Sequence, residues 1–414
     1  MKNKFRAGFI SGLMGAILIA AIVLGVIKFS PINNMFDNNK VAITEDGTEI
    51  ELNDIAEKLG QLNHIIDKFY IEDVNDEDLI EGMYKGYVAG LKDPYSAYYT
   101  EEEYEALMES SSGVYYGIGA SVSQDPTTGI ITVVQPFVTG PAYEVGLLPG
   151  DILYKVGGEE VTGEDLTEVV SKIKGPEGTE VSLTIIRENE NEELEFSVPR
   201  RKIEVPTIEH TMLDNKMGYI KISEFDKVTV DQFRDAIDEL DSQGQNGLIV
   251  DVRNNPGGLL DAVTEMLDRL LPEGLIVYTE DKNGKRQEIY SDGDEYFDKP
   301  LVVLTNGNSA SASEIFAGAI QDYEIGKVVG TNTFGKGIVQ SIFPLFDESA
   351  AIKVTVSKYY TPNGRDIHEV GIIPDVEVEL DDDLRQQVVI EKEEDNQLQA
   401  GIDVLEELIE GQNK

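Results

Sequence analysis

The sequence predicts an α/β multidomain protein led by an apolar amino-terminal helix. Three observations carry this. Residues Ala7 to Ile27 hold no charged side chain. Residues 113–199 read as short strands with two short helices. After Arg200 the strands MGYIKIS, GLIVDVR, PLVVLTN and KVVGTN alternate with helices near Val230–Leu240, Leu259–Leu270 and Ser311–Tyr323, the pattern of a layered sheet.

Composition bounds the function. The 414 residues carry 78 Asp and Glu against 34 Lys and Arg, a formal charge of -44. That argues against nucleic acid as a partner, because phosphate neutralisation needs clustered cations. Cysteine is absent, which excludes disulfides, thiol catalysis and thiolate metal sites. Three histidines, His64, His210 and His368, leave little for a metal centre, and neither metal nor cofactor is expected.

Residues 7–27 match the thickness of a bilayer core at about 1.5 Å rise per residue. Lys2, Lys4 and Arg6 precede them, so residues 1–6 are expected in the cytoplasm and the remainder outside. A cleaved signal peptide is the competing reading. The long apolar run and the absence of an A-x-A pattern in KFSPINN favour an uncleaved transmembrane anchor. The expected location is thus the cell membrane, spanned once. Residues 28–48, polar with Pro31, read as a linker. Residues 49–112 form a helical lead-in. Leu52, Ile55, Leu59, Leu62, Ile65, Ile66 and Phe69 recur at helical spacing, and further helices are expected over Asp76–Leu91 and Glu101–Met108. Residues 386–414 form a helical tail after a core of 200–385.

In the β-rich stretch, Tyr116-Gly117-Ile118-Gly119 opens a strand. Such glycines free backbone N–H groups to hold a carboxylate, although G-x-G alone fits a structural turn equally well. Ala142-Tyr143-Glu144-Val145-Gly146-Leu147-Leu148-Pro149-Gly150-Asp151-Ile152-Leu153 is more specific. With it, residues 113–199 resemble a PDZ domain. The resemblance implies a module that binds extended peptide C-termini, with Gly117, Ile118 and Gly119 on the groove floor.

Three loops after strands are chemically unusual. They are Asp251-Val252-Arg253-Asn254-Asn255-Pro256-Gly257-Gly258, Asn308-Ser309-Ala310-Ser311-Ala312-Ser313-Glu314 and Thr333-Phe334-Gly335-Lys336-Gly337-Ile338-Val339-Gln340. Ser311 to Glu314 fits a capping box, S-x-x-E, at a helix start. Oriented N–H groups there also suit a nucleophile, and the two readings are compatible. No histidine sits in an obvious motif. Lysine can serve as the base when desolvated enough to be neutral, and Lys336 lies between two glycines in an apolar setting. Gly330 to Lys336 also matches G-x-x-x-x-G-K of phosphate-binding loops. Gly337 follows instead of Ser or Thr, and IVQSIFPL reads as a strand rather than a helix.

Taken together, D-x-R-x-N-P-G-G, S-A-S-A-S-E and T-F-G-K-G-x-V-Q, with L-K-D-P-Y-S upstream and T-P-x-G-R … G-I-x-P-D downstream, resemble the carboxy-terminal processing peptidases of family S41. The likeness covers about residues 50 to 405. It implies an S41-type α/β catalytic core and a serine endopeptidase that takes proteins or peptides with accessible C-termini. It implies Ser311 as nucleophile, 25 residues before Lys336 as base, and Gln340 orienting the lysine amine. The oxyanion hole would come from backbone N–H groups of Gly257, Gly258 and Ala312, with Gly257 favoured over Gly258. It also suggests a homodimer. Lys92 and Tyr95 stand where the family often has Leu and His, and neither is expected to touch the chemistry. Two other readings stay open: a non-catalytic PDZ scaffold, and a hydrolase using His210 or His368.

Overall fold

A computed structural model describes residues 41–43, 49–345, 349–385, 387 and 390–412. The expected anchor at 7–27 lies outside the described residues. Among the described residues, no helix is long and apolar enough to cross a membrane. The chain divides into two compact units, Met1–Gly82 and Met83–Lys414.

In the first unit, part of the expected linker is a strand. Val41–Ile43 (β1) pairs antiparallel with Glu49–Glu51 (β2). A strand of three residues amid polar neighbours is too short a pattern to read from sequence. Leu52–Phe69 (α1) follows, as its periodicity predicts. Within this unit its apolar residues stay exposed: Ile55, Leu62, Ile65 and Phe69 are 45%, 51%, 54% and 71% exposed. Asp76–Ala89 (α2) starts with Asp76, Glu77 and Asp78, which complement the helix dipole. It stops before the expected Leu91, where Gly90 N–H is shared between the carbonyls of Gly86 and Tyr87.

In the second unit, Ala97–Tyr99 (β3) precedes Glu101–Ser112 (α3). That helix runs past the expected end at Met108 because its left-handed cap is Gly113, at φ 67°. The β-rich stretch forms an antiparallel sheet in the order Leu194–Pro199 (β10), Glu180–Ile186 (β9), Ile152–Val156 (β7), Ile131–Pro136 (β6) and Ala120–Gln124 (β5). Glu159–Glu160 (β8) pairs with β7. Val114–Gly117 (β4) pairs instead with Arg201–Glu204 (β11). The short helices Pro141–Glu144 (α4) and Leu166–Ile173 (α5) complete the module. Its Pro-Gly-Asp turn is held from within. Buried Asp151 accepts Leu148 N–H at 2.8 Å and a two-pronged bond from Arg187 at 2.6 and 2.7 Å.

The core is a six-stranded sheet ordered Ile208–Met212 (β12), Met217–Ile222 (β13), Gly247–Asp251 (β14), Leu301–Thr305 (β17), Gly326–Gly330 (β18) and Val376–Glu377 (β21), parallel from β13 onward. Leu248-Ile249-Val250 and Leu301 to Leu304 are unbroken apolar runs because helices cover both faces. Lys227–Ser242 (α6), Leu260–Asp268 (α7) and Ala312–Asp322 (α8) pack on one face. Asn396–Gln412 (α9) packs on the other, where Leu398 and Leu405 meet Ile249, Val302 and Leu304. The expected tail helix therefore completes the core rather than trailing it.

A second, antiparallel sheet was not anticipated as such. It orders Arg286–Ser291 (β16), Gly274–Asp281 (β15), Ala351–Tyr360 (β20) and Ile338–Pro344 (β19), with β3 on β20. In β20, Lys, Thr and Ser alternate with apolar residues, which weakens the signal of a core strand.

Buried charges join the end of β14 to the start of α9. Arg253 reaches Asp251 at 2.7 Å and Asp395 at 2.7 Å, with side chains only 12%, 3% and 9% exposed. Removing one partner strands the others, at a cost of roughly 3–5 kcal/mol. Arg253→Ala is expected to lower unfolding stability by about that amount, measured by denaturant titration. A change below about 1 kcal/mol would refute the role.

Candidate active site

The three unusual loops leave the C-terminal ends of the adjacent parallel strands β14, β17 and β18, where sites of open α/β sheets gather. Hydrogen bonds stitch them together. Ala310 N–H donates to Asn255 O at 3.1 Å, and Phe334 N–H to Ser309 O at 3.0 Å.

These bonds separate the three serines. Ser309 is fully buried and its hydroxyl donates to Val252 O at 2.8 Å. Ser313 is fully buried and its hydroxyl donates to Asn255 O at 2.9 Å. Both are structural. Ser311 is half-buried, at φ 55° and ψ −112°. That conformation costs of order 1–3 kcal/mol and persists only where surroundings enforce it. They do so here. Ser311 N–H donates to Glu314 Oε2 at 2.8 Å, and its carbonyl accepts the Tyr359 hydroxyl at 2.9 Å. The N–H half of the expected capping box is thus present.

Glu314 does more than cap. It is fully buried, and its carboxylate accepts four donors. Oε2 takes Ser311 N–H and Lys336 N–H, each at 2.8 Å. Oε1 takes the Thr333 hydroxyl at 2.6 Å and Gly335 N–H at 2.7 Å. One side chain therefore fixes the serine loop against the lysine loop. The S-x-x-E spacing revealed its local role but not this long-range one.

Lys336 is half-buried on the loop before β19. Burial lowers its pKa, and the nearby Lys353 charge lowers it further; Glu314 and Asp93 pull the other way without reversing the shift. Its ammonium nitrogen lies over the Tyr95 ring, 4.7 Å from the centroid. The expectation that Tyr95 stands clear of the chemistry is therefore corrected. Tyr95, far upstream in sequence, reaches the lysine because the adjoining β3 pairs with β20. The following residues Ile338–Pro344 form a strand, so the G-x-x-x-x-G-K match opens no helix. Gln340 lies on that strand beside a register shift between Val339 and Gln340, a device that re-aims side chains near sites. Its Nε2 donates to Thr355 Oγ1 at 3.2 Å.

The backbone donors differ in availability. Gly257 crosses so close to the serine loop that a Cβ there would sit 2.8 Å from Ser311 Cβ. Its N–H, however, donates to Asn255 Oδ1 at 2.8 Å and is committed in this state. Gly258 is held against Phe225, where an added Cβ would meet the Phe225 carbonyl at 2.3 Å. Ala312 opens α8, so its N–H has no intrahelical acceptor.

A cavity of about 370 Å³ lies where the β-rich module meets α3 and the core: Gly117, Ile118, Val170 and Lys174 line it on one side, and Glu109, Glu224 and Asp226 on the other. Gly119 is not in that lining; its carbonyl is taken by Phe137 N–H at 2.9 Å. His64 is exposed on α1. His210 pairs with Glu239 at 3.2 Å on the surface. His368 packs against Gly337, where an added Cβ would come within 2.5 Å of its backbone nitrogen. Among the described residues, no three His, Asp or Glu gather as a metal site.

Comparison with known proteins fits this geometry. The pattern of peptidase family S41 matches residues 216–378, a PDZ domain matches 130–187, and the N-terminal domain of the activating protease CtpB matches 17–103. Carboxy-terminal processing protease CtpA of Bacillus subtilis (strain 168) is 35% identical over 384 residues, covering 92% of this chain and 79% of its own. A carboxyl-terminal-processing protease of Synechocystis is 37% identical over 322 residues, covering 77% and 75%. A crystal structure from Bacteroides fragilis NCTC 9343, assigned to the S41 proteases, shares the fold at 18% identity and a TM-score of 0.50, covering 82% of this chain and 91% of that one. The chain belongs to peptidase family S41, as a carboxy-terminal processing serine protease with a PDZ domain.

Proposed function

We propose that this protease is a membrane-anchored endopeptidase working outside the cytoplasm through a Ser311–Lys336 dyad. The observation that carries the reading is Glu314, which accepts N–H groups from Ser311 and Lys336 on the same oxygen. Neutral Lys336 removes the Ser311 Oγ proton as Oγ attacks the scissile carbonyl. Gln340 orients the lysine amine. The lysine then returns the proton to the leaving amine, and water resolves the acyl-enzyme, restoring both side chains. Backbone N–H groups hold the oxyanion, each worth roughly 3–4 kcal/mol in comparable hydrolases. Ala312 and Gly258 are the favoured donors, since Gly257 N–H is engaged by Asn255.

The PDZ module takes the substrate's C-terminus, as its Gly117-Ile118-Gly119 stretch and the family resemblance suggest. The basic Lys2, Lys4 and Arg6 ahead of an uncharged span support the anchor and its orientation. The apolar stripe of α1, exposed within its own unit, supports a homodimer, because such a stripe is normally buried.

Ser311→Ala is expected to abolish cleavage of a reporter bearing an unstructured C-terminal tail, by about 10⁴-fold or more, without loss of fold. Retained cleavage would refute the assignment. The same variant should hold uncleaved substrates for identification by their C-termini.

A further inference from the structure

Gln340 can orient a neutral amine and leave its lone pair free for the serine proton only through its carbonyl end, because its NH₂ end would donate to that lone pair. What decides which end of the amide is left free lies outside the three loops. Gln340 and Thr355 are cross-strand partners on β19 and β20. Gln340 Nε2 donates to Thr355 Oγ1 at 3.2 Å, and the same Oγ1 donates to Asp93 Oδ2 at 2.7 Å. A hydroxyl has one proton. An ionised carboxylate can only accept, so the Thr355 proton is committed to Asp93. Thr355 must then accept from Gln340, which turns the amide nitrogen toward Thr355 and the carbonyl oxygen away from it.

Asp93 is itself well fixed. Ser96 Oγ donates to Oδ2 at 2.5 Å, and Tyr95 N–H to Oδ1 at 3.0 Å. Thr355 N–H donates back to Ser96 Oγ at 3.1 Å, which ties the turn to β20. Burial raises the Asp93 pKa, but these bonds and the Lys336 charge outweigh it and hold the carboxyl below its ordinary range. The turn that carries Asp93 also carries Tyr95, whose ring lies under Lys336 Nζ.

We propose that Asp93 is a positioning residue for the hydrolysis: through Thr355 it sets the direction of the hydrogen-bond chain that presents the Gln340 carbonyl to Lys336. The inference rests on the proposed roles of Ser311, Lys336 and Gln340.

Asp93→Asn tests it. Asn keeps an acceptor for Tyr95 N–H, but its amide can donate to Thr355 and reverse the chain. The expected result is a fall in kcat of about tenfold to a hundredfold with KM unchanged, the scale of a misplaced catalytic group. Thr355→Val should match that loss, and Thr355→Ser should restore activity. In a Gln340→Ala background, Asp93→Asn should lower the plateau rate of Ser311 labelling, read on the alkaline side where Lys336 is neutral, by less than about twofold, since there both act through one group. The acid limb of the pH profile should also move down. Lys336 then keeps the charges of Glu314 and Lys353 and loses that of Asp93, which favoured the ammonium.

Full kcat in Asp93→Asn, or a full additional loss in the Gln340→Ala background, would overturn the proposal. Should Asp93→Asn fail to fold, the Thr355→Val and Thr355→Ser pair decides it: equal activities refute the chain. Labelling of wild-type protein with a serine-directed phosphonate separates the two levels. No label on Ser311 sinks the dyad, whereas labelling at an equal rate in wild type and Asp93→Asn sinks only this inference.

Discussion

Lys336→Ala is expected to lower kcat/KM for peptide cleavage by about 10³-fold or more while the protein stays folded. A positioned base contributes roughly 10²–10⁴-fold, and members of a catalytic unit fail together. The substitution isolates the chemistry. The Lys336 N–H bond to Glu314 is a backbone bond and survives in alanine. What is lost is the amine and its contact with the Tyr95 ring. Lys336→Arg should fail to restore activity, because guanidinium stays protonated at any working pH.

The pH dependence follows from the same group. In the proposed dyad the neutral amine is the active form, so activity is expected to rise as pH climbs through the Lys336 pKa. That midpoint lies below the ordinary lysine value because burial and Lys353 disfavour the ammonium. A profile flat from acid to alkaline pH would contradict a lysine base.

The second large effect is expected at Glu314. Its four donors come from Ser311, Thr333, Gly335 and Lys336. Glu314→Gln keeps the shape but turns an NH₂ group onto two N–H or O–H donors. Losing buried acceptors costs about 1–3 kcal/mol for each stranded donor. A total loss of roughly 2–5 kcal/mol in unfolding free energy is expected, with cleavage falling by at least about 10²-fold. Ser313→Ala, which removes a single bond to Asn255, should do far less on both measures. Equal stability of Glu314→Gln and wild type would refute the hub.

Much of this was legible in the sequence because the signals were local. Alternation of β-rich and helical runs gave the parallel sheet, since strands covered on both faces read as unbroken Val, Ile and Leu. The family resemblance points to Ser311, Lys336 and Gln340, and hydrogen bonds tie the serine loop to the lysine loop through Glu314. The structure adds why Ser309 and Ser313 are unsuitable: their hydroxyls are already engaged in the core.

What the sequence hid depends on long-range contacts. Glu314 looked like a helix cap, and nothing local tells that its carboxylate reaches Gly335 and Lys336. Tyr95 seemed remote because its approach to Lys336 depends on β3 joining β20, a pairing across more than two hundred positions. The Gly257 amide looked free, because its capture by Asn255 depends on loop geometry rather than composition. The α9 helix read as a tail, although its apolar stripe is the sheet's second cover.

The central claim is that Ser311 is activated by Lys336. Its most direct test is labelling with a serine-directed phosphonate at several pH values, with the modified residue mapped by mass spectrometry. The account predicts a single label on Ser311, a rate that rises with pH, loss of labelling in Lys336→Ala and its persistence in His368→Ala. A label on another serine, or labelling that survives in Lys336→Ala and disappears in His368→Ala, would contradict it.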